Sequence, residues 1–231
     1  MKRLALVVGS FVLALALAAP PASANHAWNG YHWARTANPF EIKLGDNVDS
    51  GWDSHLSTAA GDWETGSAVL DTAVVAGSVS DPTTCTPPLG RVEVCNAAYG
   101  QNGWLGLARI WIKSDGSGHI KKGQVLLNDT YFSMDAYDDP DARLHVMCQE
   151  IGHTFGLNHQ HPRKARSCMN DRFGLFDPAY SHPNQHDFDQ LAAIYAHLDS
   201  SSTVGATTRG ERVRVRTTRT GTLVVTFITR A

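Results

Sequence analysis

The strongest constraint on the fold is one helix whose start and end are both marked in the sequence. Asp139 is the candidate N-cap, and Pro140 follows at the first helical position, where its missing N–H costs little. Asp141 places negative charge at the positive end of the helix dipole. The helix is predicted to run to about Phe155, because Gly156 readily adopts the positive φ that ends a helix. The sequence therefore predicts a well-bounded helix followed by a turn.

The end of this helix carries side chains suited to binding a metal ion. Gln149 and His153 are one helical turn apart, so both project from one face and can bind one ion. Glu150 is offset along that face, where a carboxylate can accept a proton from a metal-bound water. The turn at Gly156 could return His159 as a third ligand. Such a set leaves one coordination position open, as a catalytic zinc requires.

These residues resemble the metzincin zinc metallopeptidases, whose pattern is H-E-x-x-H-x-x-G-x-x-H followed by a Met-turn. The chain looks most similar to the matrixins and to matrixin-like secreted bacterial proteins, over roughly residues 39–199. The resemblance implies Glu150 as general base, His153 and His159 as ligands of Zn²⁺, and Met169 as the Met-turn methionine beneath the metal. It also implies a zincin-like α+β fold with a twisted mixed sheet, an active-site helix, the Met-turn and a C-terminal helix.

The family places its first histidine ligand where this chain has Gln149. An amide oxygen is a neutral and weaker donor to zinc than imidazole. Gln149 could still coordinate through its oxygen, His161 or His145 could take its place, or the site could bind zinc poorly. His145 lies about 12 Å along the helix axis from His153, so these two cannot meet at one ion without distortion. We take Gln149 as the third ligand.

The resemblance implies a zinc-dependent metalloendopeptidase that hydrolyses peptide bonds through a zinc-activated water. The alternative is a catalytically silent protein of the same fold that binds extended peptides or cell-envelope polymers. Matrixins usually carry an inhibitory propeptide, and we expect no cysteine-bearing prosegment between the signal and the domain here. That expectation does not decide between the two hypotheses. By analogy with the same family, His119 is a candidate for a second metal site, and the other histidines are read as ordinary polar residues.

Residues 1–24 have the pattern of a secretory signal. Lys2 and Arg3 precede the apolar run 4–19, and Ala22-Ser23-Ala24 is typical of a cleavage site. The apolar run is too short for a convincing membrane span. We therefore expect a secreted, extracellular protein whose mature chain begins near Asn25.

Four cysteines in an exported chain favour two disulfides over free thiols. Three pairings are possible. We favour Cys85–Cys95, which would close a local loop, and Cys148–Cys168, which would join a helix to a later turn.

The charge distribution is uneven. Residues 25–199 carry 12 Lys and Arg against 21 Asp and Glu, a net charge of −9, which argues against a nucleic-acid partner. Residues 200–231 carry six Arg against one Glu, a net charge of +5. This basic extension is either solvated, or it acts as an electrostatic tether to a polyanion such as the cell envelope or to the acidic body of the protein. We expect the protein to be a monomer. The arginines are Arg209, Arg212, Arg214, Arg216, Arg219 and Arg230.

The remaining patterns predict an α+β domain over residues 25–199. Helical spacing of apolar residues favours helices at 51–64 and 185–198, and β-prone runs favour one strand before the first helix and four between the two. The strands are predicted at 39–49, 71–76, 91–97, 105–113 and 123–128. Alternating apolar residues around Thr220-Gly221 predict a β-hairpin within 211–230.

Overall fold

A computed structural model describes residues 25–161, 164–205 and 223–231. Within these ranges the fold is α+β, with eight strands in one mixed sheet and four α-helices. A single 3₁₀ turn lies at Pro178–Tyr180. In chain order the elements are β1 (His32–Trp33), β2 (Phe40–Asn47), α1 (Asp53–Thr65), β3 (Leu70–Ala76), β4 (Val92–Ala97), β5 (Trp104–Ile112), β6 (His119–Asn128), α2 (Asp129–Phe132), α3 (Pro140–Thr154), α4 (Gln185–Ile194), β7 (Leu223–Thr226) and β8 (Thr229–Arg230).

The sheet runs in the order β3-β2-β4-β6-β5-β7. Strands β3, β2, β4 and β6 are parallel, and β5 is antiparallel to β6. Short strand β1 pairs in parallel with the start of β6. Both β7 and β8 pair antiparallel with β5 on the side away from β6. The last described segment therefore covers what is otherwise an edge of the sheet.

The two longer predicted helices are present and pack together on the sheet. The predicted apolar face of α1 is buried, and the Trp63 indole N–H donates to the Cys148 carbonyl 3.1 Å away. Helix α1 packs on β3, α3 packs on β5 and β6, and the two helices contact each other. The main hydrophobic core lies between these helices and the sheet.

The predicted bounds of α3 are confirmed. The Asp139 carboxylate accepts hydrogen bonds from the backbone N–H groups of Asp141 and Ala142, which have no partner within the helix. After Phe155, Gly156 has φ +96°. A Cβ at Gly156 would lie 2.1 Å from the Tyr31 carbonyl oxygen, so glycine is required here by both conformation and space.

Both favoured disulfides, Cys85–Cys95 and Cys148–Cys168, are present. The second joins the middle of α3 to the turn that contains Met169. Of the helices described, none is long and apolar enough to cross a bilayer.

The last helix ends earlier in the chain than predicted. Helix α4 stops at Ile194 rather than near residue 198, and Leu198 is 58% exposed. The buried Tyr195 hydroxyl donates to the Phe155 carbonyl at 2.9 Å. The chain then turns so that the Asp199 N–H reaches the Arg35 carbonyl, also at 2.9 Å. Tertiary hydrogen bonds, rather than local spacing, thus fix this end.

The predicted signal at 1–24 and five of the six C-terminal arginines lie outside the described residues. The first strand of the predicted hairpin, around Val213 and Val215, also lies outside them. The second strand is described in part, as β7, and it pairs with β5.

Candidate functional site

Helix α3 lies unusually close to β5, and this brings Glu150 to the edge of the sheet. A Cβ at Gly106 on β5 would lie 2.4 Å from Val146 Cγ1 and 2.8 Å from Glu150 Cγ. Only glycine allows the helix to approach so closely. Glu150 is fully buried, and its Oε2 has no hydrogen-bond partner among the residues that the structure describes. A buried unpartnered carboxylate oxygen is costly, so it points to a missing ligand or a chemical role.

His153 and His159 face each other with 3.0 Å between their Nε2 atoms. Each ring is fixed through its other nitrogen: His153 Nδ1 lies 2.9 Å from the Leu157 carbonyl, and His159 Nδ1 lies 3.2 Å from Asp171 Oδ2. Because these oxygens accept hydrogen bonds, the ring protons belong on Nδ1. Both Nε2 atoms then present lone pairs to the same point, and a cation there would satisfy both.

This pair fits a zinc ion. With Zn–N bonds of about 2.0–2.1 Å, two ligands of a tetrahedral ion lie about 3.3 Å apart, close to the spacing observed. Burial lowers the pKa of His153 well below its ordinary value, and neighbouring His159 lowers it further. Burial likewise lowers the pKa of His159, although Asp171 opposes the shift. Both imidazoles are thus held neutral, which is the form that binds a metal.

Burial raises the pKa of Glu150 to about 7, against the opposing effect of hydrogen bonds from Thr229 and from the Ala108 backbone. A carboxyl with a pKa near the working pH exchanges protons readily, which suits a general base. We call Glu150, His153 and His159 the cleft cluster.

Gln149 is also buried beside this cluster, and its amide is occupied. Its Nε2 donates to the Cys168 carbonyl at 2.7 Å, and its Oε1 accepts from the Thr229 hydroxyl. The same hydroxyl bonds Glu150 Oε1. A hydroxyl carries one proton, so it can donate to Gln149 only if a protonated Glu150 donates to it. The raised pKa of Glu150 permits that arrangement.

Met169 packs beneath the turn of α3 that carries His153. It is fully buried, and its N–H donates to Ser167 Oγ at 2.9 Å. A Cβ at Gly152 would lie 2.5 Å from Met169 Sδ. The structure thus brings the predicted Met-turn residue against the candidate ligand helix.

The two histidines considered as replacements for Gln149 are engaged elsewhere. His161 Nδ1 lies 3.0 Å from Asp171 Oδ1, so it shares with His159 the same carboxylate, and its ring centroid is 6.0 Å from that of His159. His145 is buried, and burial lowers its pKa to about 4 although the ring donates hydrogen bonds to the backbone of Asn170 and Tyr180.

Residues 223–231, the cleft segment, lie over the cleft cluster in an extended conformation. Phe227 stacks on the His153 ring, with 3.8 Å between centroids and 12° between planes, and its ring meets His159 edge-on at 5.2 Å. Two positions further on, Thr229 reaches Gln149 and Glu150. The sequence signals a strand here through alternating apolar residues, but carries no signal for its partner. Phe227, Thr229 and Asp171 were therefore missed as site residues.

A cavity of about 290 Å³ opens beside Thr229 and Arg230. Apolar side chains that follow the Met-turn line part of it, together with His145 and Asp171. These apolar residues are Phe173, Leu175 and Phe176.

The arrangement combines two neutral histidines poised for a cation, a buried carboxyl that can hold a proton, and a sheet edge that accepts an extended strand. Those are the parts needed to bind a peptide and hydrolyse it with a metal. Comparison of the chain with protein-family models and with curated proteins found no match to either.

Proposed function

We propose that this protein is a secreted zinc-dependent metalloendopeptidase of metzincin type, acting at the cleft between α3 and β5. One observation carries the proposal. The Nε2 atoms of His153 and His159 face each other at 3.0 Å while each Nδ1 is held by an oxygen acceptor, and the carboxylate of Glu150, on the helix that carries His153, is buried with no partner for its Oε2 among the described residues. Two converging lone pairs favour a metal ion, and the adjacent carboxyl favours proton transfer.

His153 and His159 would hold the zinc, with Gln149 Oε1 as the third ligand once Thr229 releases it. Bound zinc supplies a water of lowered pKa and stabilises negative charge on a peptide carbonyl oxygen. Glu150 would accept a proton at Oε2, which has no partner within the described part of the chain, and would then pass it to the leaving amine. While residues 223–231 are bound, the stacked Phe227 and the closely packed α3 exclude water from around these groups.

The cleft segment supports a peptide as the substrate class. It adds antiparallel to β5 and passes directly over the cleft cluster. Adding a strand to a free sheet edge is a common mode of peptide recognition. It follows that the segment must leave β5 before a substrate can enter, so the enzyme would be latent while the segment is bound.

The secretory pattern at 1–24 and the two disulfides support export to an oxidising compartment. We propose that the mature chain acts there as a monomer. The arginines of the C-terminal extension would contact an anionic polymer by charge. Retention on an anionic resin that falls with salt and with Arg→Gln substitution would support that contact, and retention unaffected by both would contradict it.

A non-catalytic peptide binder is the second candidate. It is favoured by the two hydrogen bonds that already occupy the Gln149 amide, to the Cys168 carbonyl and from Thr229. In that case the cleft would bind extended peptides along β5 without cleaving them.

The test is cleavage of a diverse peptide library by the mature chain with zinc present. Glu150→Gln should abolish cleavage while it keeps the shape of the side chain. Glu64→Gln, on the exposed face of α1, is the matched control and should leave cleavage unchanged. The assay is repeated in the Phe227→Ala variant, in which the cleft segment is weakened. Absence of cleavage there as well, with zinc bound, would reject the peptidase and favour the binder.

A further inference from the structure

Away from the cleft, three side chains converge where β1 meets the chain that follows α4. We call them the lateral cluster: His32, His197 and Asp199. His32 Nε2 lies 3.2 Å from His197 Nε2 and 3.7 Å from Asp199 Oδ1, and His197 Nε2 lies 3.6 Å from the same oxygen. Ligands of a tetrahedral ion with bonds of about 2.0–2.1 Å are separated by about 3.3 Å. The three atoms are therefore spaced as the corners of one coordination shell.

The ligand atoms of His32 and Asp199 are oriented toward that point by hydrogen bonds on their other sides. His32 Nδ1 donates to the Gly30 carbonyl at 2.8 Å, which leaves a lone pair on Nε2. Asp199 Oδ2 accepts from the Arg35 guanidinium at 2.9 Å and from the Arg35 N–H at 3.2 Å. Its Oδ1 is thereby turned to the histidines. Metal-bound histidines and carboxylates are typically oriented by such outer partners.

His119 supplies a further outer partner. Its Nε2 lies 3.1 Å from Asp199 Oδ1, and its ring meets that of His32 edge-on at 4.9 Å. Three imidazoles thus lie around one carboxylate oxygen. The Arg35 guanidinium alone would balance the charge of this carboxylate, so the ion pair does not account for the three histidines. The His197 side chain is 53% exposed, whereas those of His32 and Asp199 are under 10% exposed. An ion could therefore enter from solvent past His197 and leave a coordination position for water.

The Asp199 carboxylate is paired with the Arg35 guanidinium at 2.9 Å. A carboxylate with two imidazoles is a donor set well suited to zinc and related divalent ions.

We propose that His32, His197 and Asp199 bind a divalent transition metal of the zinc type, with water as the fourth ligand. The ion would join the segment after α4 to β1, and through His119 to β6. Its role would be structural, because it ties together parts of the chain that are 165 residues apart. The site shares no residue with the cleft, so it stands whether or not the proposed function does.

The experiment is a Co²⁺ titration of the metal-free mature chain that carries His153→Ala and His159→Ala, so that the cleft ligands are absent. One equivalent should bind and give the visible absorption of four-coordinate Co²⁺. Adding His197→Ala should abolish that equivalent. His182→Ala is the matched control, since His182 is 50% exposed and lies 2.6 Å from an Asp62 oxygen, and it should leave binding unchanged.

Absence of Co²⁺ binding in the folded parent, or binding that persists after His197→Ala, would overturn the proposal. If the chain without the cleft histidines does not fold, His197→Ala is made in the wild-type chain instead. It should lower the Zn²⁺ content by one equivalent. Zinc should also raise the unfolding midpoint of the parent but not that of the His197→Ala variant, because a ligand stabilises only a state that binds it.

Discussion

The cleft cluster and the lateral cluster bring similar side chains together by different routes. In the cleft, Glu150, His153 and His159 lie within ten consecutive residues, on one helix and the turn after it. In the lateral cluster, His32 comes from one end of the domain and His197 from the other. The spacing of residues on one helix and its following turn is enough to predict the first set. Only the assembled sheet and the turn after α4 produce the second.

The two clusters also differ in access. His153 is fully buried and is stacked by Phe227 of the cleft segment, whereas His197 is half exposed. The cleft segment must therefore move before a substrate reaches the cleft cluster, whereas an ion can reach the lateral cluster directly from solvent. If this contrast is correct, substitutions in the cleft should change activity or local packing, while those in the lateral cluster should change only metal content and stability.

The largest effect is expected from His153→Ala. It should reduce zinc-dependent hydrolysis to background and remove one equivalent of zinc, because one of the two converging nitrogens is lost. The equivalent bound at the lateral cluster should remain. Metal analysis of the purified variant beside His182→Ala checks this. An unchanged zinc content in His153→Ala would show that the cleft histidines hold no ion.

The free energy of unfolding should fall at acid pH because His145 is buried on α3. Burial lowers the pKa of His145 from 6.5 to about 4, so between these values the unfolded chain takes up a proton that the folded chain does not. The free energy of unfolding should therefore fall as pH drops from 6.5 to 4, by about 3 kcal/mol from this residue. His145→Gln should flatten that part of the profile relative to wild type. Denaturant unfolding across this pH range measures it, and equal slopes would contradict the assignment.

Two glycine-to-alanine substitutions, one on α3 and one on α1, test the packing beneath the cleft cluster. Gly152→Ala places a Cβ 2.5 Å from Met169 Sδ and 2.6 Å from Trp63, and should destabilise the protein by about 1–3 kcal/mol. Gly61→Ala on α1 meets no atom within 4 Å and should stabilise it by about 0.5–1 kcal/mol. Chemical denaturation distinguishes them. A tolerated Gly152→Ala would mean that Met169 does not support the helix as described.

The smallest expected effect concerns access to the cleft. Phe227→Ala removes the ring stacked on His153, and such ring pairs contribute about 0.5–1.5 kcal/mol. Peptide hydrolysis should rise about twofold to tenfold as the cleft segment is released more often. Ile228→Ala, at a neighbouring position that is 42% exposed, should leave the rate unchanged. Equal rates in all three proteins would show that the segment does not limit access.

Much of the fold follows from local sequence. The Asp139 cap and Gly156 bound α3, and both disulfides were favoured from chain position alone. The end of α4 was not predictable, because it depends on hydrogen bonds from Tyr195 and Asp199 to distant segments.

The candidate site was also predictable only where it depends on local sequence. Spacing on α3 and its turn brings His153 and His159 into one set, and the structure places their nitrogens face to face. Thr229 and Phe227 were missed because a strand's sequence does not specify which free edge it will pair with. The environment of Gln149 was missed for the same reason, since both of its hydrogen-bond partners come from other parts of the chain.

Gln149 is the residue on which the account depends most, and one substitution tests it most directly. Zinc-dependent peptide hydrolysis is measured for wild type and for Gln149→His under the same conditions. We predict that the wild-type chain already binds zinc in the cleft and hydrolyses peptide, and that Gln149→His changes the rate little. Hydrolysis that is absent from wild type and appears only in Gln149→His, together with tighter zinc binding, would contradict the account and identify the protein as a silent peptide binder.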